Sequence, residues 1–191
     1  MVDNKDLMIN GYEQAAAEGK TDGRHLAKCI KRLKEWGAPL IGWECKDILD
    51  VRGDEPDASY EICELCDHDR IRFVHVMEHP DYFEKVNVGC ICAGIMEGDI
   101  LAAKERERLM RNRAKRRRNI VNRKWEKDWQ GDYVKTYKGR ELRIREKDGR
   151  FMAYCGYNFT CRYKGKVIVD RFSAMYAAFD LADPVSEVVQ A

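Results

Sequence analysis

Residues 60–92 read YEICELCDHDRIRFVHVMEHPDYFEKVNVGCIC. Cys63 and Cys66 form a Cys-x-x-Cys pair, and after 23 intervening residues Cys90 and Cys92 form a second close pair. A Cys-x-x-Cys pair bends the chain into a knuckle that turns both thiolates toward one ion. Zinc takes four such donors in a tetrahedron at ~2.3 Å, so a second pair completes the set. Between the pairs lie IRFVHVM, a His-Pro-Asp-Tyr turn and KVNVG. That is β-branched and aromatic sequence broken by turn residues, the pattern of a β-hairpin. A helix is expected directly after the second pair.

Knuckle, hairpin and helix in this order resemble the treble-clef zinc fold group over about residues 60–105. The stretches C-E-L-C, R-F-V-H-V-M-E-H-P-D-Y and V-G-C-I-C-A are also similar to a zinc module of uncharacterised bacterial and mobile-element proteins. The resemblance implies one structural Zn2+ held by Cys63, Cys66, Cys90 and Cys92. With all four positions taken, the site would be closed rather than catalytic. The second pair departs from the usual spacing, being Cys-x-Cys, which leaves His68 or His75 as a substitute for Cys90 or Cys92. The competing reading is four reduced, buried thiols.

HVMEH, residues 75–79, matches the His-x-x-Glu-His pattern of an inverted zinc-hydrolase helix. Pro80 biases His79 away from helical geometry, and Phe73, Val74 and Val76 favour a strand. On a strand His75 and His79 share a face. A degenerate His-Asn-His-type nuclease is the enzymatic alternative, with His75 or His79 as catalytic candidates and Asn87 following. Its helix lacks the metal-binding histidine, leaving Glu97 or Asp99 in that place. The expectation is therefore a protein without catalytic residues.

The chain has 191 residues, 36% of them charged, and a net charge of +2. That balance hides a local excess. Residues 104–124, KERERLMRNRAKRRRNIVNRK, hold 11 Lys/Arg and 2 Glu, a charge of +9, so the remainder sums to −7. No glycine or proline interrupts residues 100–125, which predicts a long helix. No acid lies between Arg111 and Arg118, so intrahelical pairs cannot neutralise the run. Arg111, Arg113, Lys115, Arg116, Arg117, Arg118, Arg123 and Lys124 are the candidate contacts to the phosphates of RNA or DNA. The competing partner is an acidic protein surface.

The predicted class is α+β. Residues 1–59 are read as an N-terminal helical region and strand, with a helix over 4–18 and a second one capped by Thr21 or Asp22 and stopped by Gly37. Residues 60–125 are the zinc module with its basic helix. Residues 126–183 alternate as strands, with Lys147-Asp148-Gly149 as a hairpin turn and a closing helix capped by Ser173. Residues 184–191 form a tail. The segment 125–183, W…KGRELRI…GRF…FSAMYAAFD, looks like a sheet-plus-helix module of bacterial and phage proteins. Its interleaved Arg and aromatic side chains suit single-strand stacking, or form the core of a small sheet. Cys29, Cys45, Cys155 and Cys161 are read as buried free thiols.

Eight cysteines without a secretion signal point to a cytoplasmic setting, and no apolar run is long enough for a membrane span. The reading as a whole is a non-enzymatic, zinc-stabilised, nucleic-acid-binding adaptor of bacterial or phage origin. A protein-interaction subunit of a defence or mobile-element complex is the alternative of another class.

Overall fold

The computed structural model describes residues 23–55 and 57–190, and the fold is α+β. The helix expected over 4–18 and the caps Thr21 and Asp22 lie outside the described residues. The chain forms two compact units, one running to Arg111 and the other covering Asn112–Glu187. The sequence reading instead placed boundaries at 59/60 and 125/126. The N-terminal helix and strand share a core with the cysteine segment, and the basic helix divides between the units.

In the first unit, α1 (Gly23–Glu35) is followed by an antiparallel sheet of β1 (Glu44–Asp50), β2 (Phe73–His79) and β3 (Tyr82–Val88). β2 is central, and Phe73 through Met77 are all buried, which explains its near-continuous apolar and β-branched sequence. His75 pairs with Ile48 on one side and Val88 on the other. The pairing of β1 with β2 shifts register between Cys45 and Asp47.

Two helices follow, α2 (Cys90–Glu97) and α3 (Ile100–Asn122). Gly98 ends α2 in the left-handed region (φ 81°), and Asp99 opens α3 by accepting from the Ala102 N–H at 2.9 Å. Gly94 permits the tight junction, since a Cβ there would lie 2.5 Å from the Cα of Ile100. Leu33, Leu65, Met77, Val88, Met96 and Ile100 fill the core and are almost fully buried.

The second unit holds a five-stranded antiparallel sheet in sequential order: β4 (Glu126–Lys127), β5 (Tyr133–Tyr137), β6 (Arg140–Lys147), β7 (Arg150–Cys155) and β8 (Asn158–Thr160). The expected hairpin turn is present, with Asp148 and Gly149 both at positive φ. Two short strands, β9 (Arg162–Tyr163) and β10 (Lys166–Val167), pair separately, two residues each. Helix α4 (Arg171–Ala182) lays Ala174, Ala177, Ala178 and Phe179 on Leu142, Ile144 and Ala153. The cap of α4 is Asp170, whose side chain accepts from the Ser173 N–H at 2.8 Å. Ser173 itself is therefore inside the first turn. Cys155 is buried as expected, but Cys161 is exposed.

Candidate metal centre and basic surface

The knuckle forms as its spacing demands. Asp67 takes a left-handed turn (φ 60°), its N–H donating to the Cys63 carbonyl at 2.8 Å, and Cys63 N–H donates to the His68 carbonyl at 2.8 Å. The sulfurs of Cys63, Cys66 and Cys92 converge within 4.8 Å of one another. Two further donors come from α1. Cys29 Sγ lies 3.9 Å from Cys92 Sγ, and His25 Nε2 lies 3.5 Å from it. In a tetrathiolate zinc site the sulfur–sulfur edge is about 3.8 Å, which follows from the ~2.3 Å bond. None of these cysteines is in a disulfide.

Cys90 is not part of this group. It is the first residue of α2 and Cys92 the third. Two residues on an α-helix turn through about 200°, so the pair presents its sulfurs to opposite sides. Cys92 faces the knuckle, while Cys90 faces His75 and Glu107. Cys29, read from sequence as a buried free thiol, instead joins His25 and Cys92 in a second group that shares Cys92 with the first. His68 is exposed and contributes its carbonyl to the knuckle.

The electrostatics suit a cation. Hydrogen bonds from Cys66 and Cys92 drive the Cys63 thiol down to about 2, with help from the Gly89 N–H at 3.5 Å. The hydrogen bond from Cys92 also pulls Cys29 down, to about 6. Cys92, sharing protons with Cys29, Cys63 and Cys66, is pushed up in turn. Buried thiols this close cannot all ionise side by side, and a divalent ion among them removes the conflict. Outside the cluster, Lys28 Nζ donates to the Cys66 carbonyl at 2.5 Å and ion-pairs with Asp67 at 3.0 Å.

The histidines of HVMEH both lie on β2, but their surroundings differ. His75 is completely buried, and burial pulls its pKa down to about 4, with the Arg106 charge adding to the effect. His79 packs against Trp43 at 5.5 Å, and its Nδ1 accepts from the Asp81 N–H at 3.0 Å. Glu97 ion-pairs with Arg106, and its carboxylate accepts from the Cys45 N–H at 3.2 Å. Asp99 caps α3, and the Asn87 N–H donates to Glu64 at 2.6 Å.

The basic helix is partly spoken for. Arg113 and Arg117 are buried. Arg113 donates to the Asp183 carbonyl at 2.6 Å and to Asp180 at 2.6 Å. Arg117 donates to Asp180 at 2.9 Å and lies over the Tyr176 ring at 4.2 Å. Arg116 donates to Tyr137 Oη and Asp183, each at 3.0 Å. These three arginines, expected to reach phosphates, are held by acids of α4 and the residue after it. Arg111 is exposed and pairs with Glu107 at 2.6 Å. Lys115, Arg118, Arg123 and Lys124 are exposed, with no ion-pair partner among the described residues. Of the aromatics proposed for stacking, Tyr137 and Tyr163 pack on the core, whereas Tyr157 and Phe159 are exposed and Tyr154 contacts Phe159 at 5.8 Å.

Fold and donors together define an α+β protein with clusters of cysteine and histidine that can bind a metal ion. No protein-family model, curated protein or solved structure matches the chain. Among the described residues no helix is long and apolar enough to cross a membrane.

Proposed function

We propose that the protein is a non-enzymatic, zinc-stabilised adaptor that binds nucleic acid through the exposed side of α3. The observation that carries the reading is the set Lys115, Arg118, Arg123 and Lys124, four exposed cations without an acidic partner among the described residues. Such cations gain most by replacing the counterions of a phosphate chain. Arg113, Arg116 and Arg117 drop out of the binding set and become the frame that holds α3 against Asp180 and Asp183. Zinc is the ion that a thiolate-rich, tetrahedral donor set favours. Its ligands on this reading are Cys63, Cys66, Cys92 and Cys29, with His25 as a hydrogen-bonding neighbour, because Cys29 is the fully buried donor of α1. Knuckle, hairpin and following helix then correspond to a treble clef whose fourth ligand comes from a preceding helix.

Fluorescence anisotropy of labelled RNA and DNA with the zinc-loaded full chain tests the binding claim. Saturable binding of at least one of them at low salt is expected. Failure to bind either, together with a protein complex that survives nuclease treatment, would favour the interaction-subunit reading instead.

A further inference from the structure

A second group of donors lies outside the cysteine centre. His75 of β2, Cys90 at the start of α2 and Glu107 of α3 bring their ligating atoms within 4.8 Å of one another. Cys90 and Glu107 also line a cavity of about 970 Å³, shared with Cys63, Cys66 and Cys92. His75 is 0% exposed, yet its Nε2 has no hydrogen-bond partner among the described residues. A buried polar atom left unpaired costs roughly 1–3 kcal/mol, so its persistence needs a reason.

The hydrogen bonds around the ring give one. Cys45 donates its single thiol proton to the Asp47 carbonyl at 3.4 Å. Its sulfur, 3.8 Å from His75 Nδ1, is then left as an acceptor, which places the ring proton on Nδ1. Nε2 therefore presents a lone pair. It faces Glu107 Oε2 at 3.9 Å, too far for a hydrogen bond. The other carboxylate oxygen, Oε1, accepts from Arg111 at 2.6 Å, which fixes the orientation of Glu107. The Nε2 lone pair and the Glu107 carboxylate converge with the Cys90 sulfur, whose thiol donates to Glu107.

We propose that His75, Cys90 and Glu107 form a second metal site, one that takes a divalent transition ion. One nitrogen, one sulfur and one oxygen donor suit zinc, and the thiolate and carboxylate together balance its charge. Three protein ligands leave a fourth position, for water or for an anionic ligand entering by the cavity that Cys90 and Glu107 line. The first centre is closed by four protein donors, and the second is open. Nothing in this assignment depends on nucleic-acid binding.

The test loads the full chain with excess Zn2+, removes unbound metal by desalting, and counts ions by mass spectrometry. Two per wild-type chain are expected, falling to one in Cys90→Ser and in Glu107→Gln. Both residues are only part-buried, so these variants should stay folded, and an unchanged far-UV circular dichroism spectrum would establish it. In a Co2+ titration, the second equivalent should add a thiolate-to-cobalt charge-transfer band that Cys90→Ser lacks. One ion in wild type and Cys90→Ser alike, with no such band, would overturn the second site while leaving the first intact. Two ions in folded Cys90→Ser would overturn it as well.

Discussion

At Cys92 the donors of α1 and of the knuckle meet, since its sulfur lies within reach of Cys29, His25, Cys63 and Cys66. Replacing Cys29 by serine should therefore release the ion of the first centre, whereas Cys90→Ser should keep it. Competition with a chromophoric chelator reads this directly, with at least a tenfold loss of affinity expected for Cys29→Ser and none at the first centre for Cys90→Ser. The knuckle and the need for a second donor group were legible from spacing alone. Spacing alone does not choose between Cys90 and Cys92, whereas a helix that begins at the pair does. Once Cys90 is the first helical residue, Cys92 must point the other way. Cys29 also carries a signal in the sequence: His25 and Cys29 stand four apart on a helix, so they share a face. What spacing could not supply is the tertiary approach of α1 to the knuckle.

Among the elements, α3 departs most from its sequence reading. Its charges are too dense for pairing within the helix, and that inference holds from Arg113 to Arg118. Acids 63 to 67 residues further on take three of its arginines. A charge run read in isolation cannot reveal such distant partners. Asp180 keeps Arg113 as a partner at 2.6 Å and is itself part-exposed, so losing the Arg117 contacts costs about 1–3 kcal/mol. Arg117→Ala should thus lower the unfolding free energy of the second unit by an amount in that range, measured by urea titration.

Asp183, almost fully buried, adds a pH dependence. Burial acts to raise its pKa, but hydrogen bonds from Arg116 and Tyr137 outweigh it and hold the carboxyl below its ordinary 3.8. A carboxyl with a depressed folded pKa contributes fully above its unfolded value and loses that contribution as the pH falls through the folded one. The second unit should therefore weaken below about pH 4, the unfolded carboxylate range. Asp183→Asn should be less stable at pH 7 and lose less on acidification, visible as a smaller gap between its urea midpoints at pH 7 and pH 3.

For the molecule as a whole, the imbalance of +9 on one segment and −7 elsewhere resolves into two roles. One part of the positive charge is internal, spent on Asp180 and Asp183, and the other part faces solvent. α+β class, hairpin, long helix and C-terminal sheet with its packed helix were all readable from periodicity and turn residues. The division of the chain inside α3 was not, because no glycine, proline or change of composition marks it.

The most direct measurement is the salt dependence of nucleic-acid affinity for wild type beside the Lys115→Ala/Arg118→Ala double variant. If these side chains contact phosphates of duplex DNA, log affinity should fall linearly with log salt, and the double variant should flatten that slope by about 2. Its melting temperature should be unchanged, in contrast to Arg117→Ala. A wild-type slope near zero, or a double variant with the wild-type slope, would contradict the account.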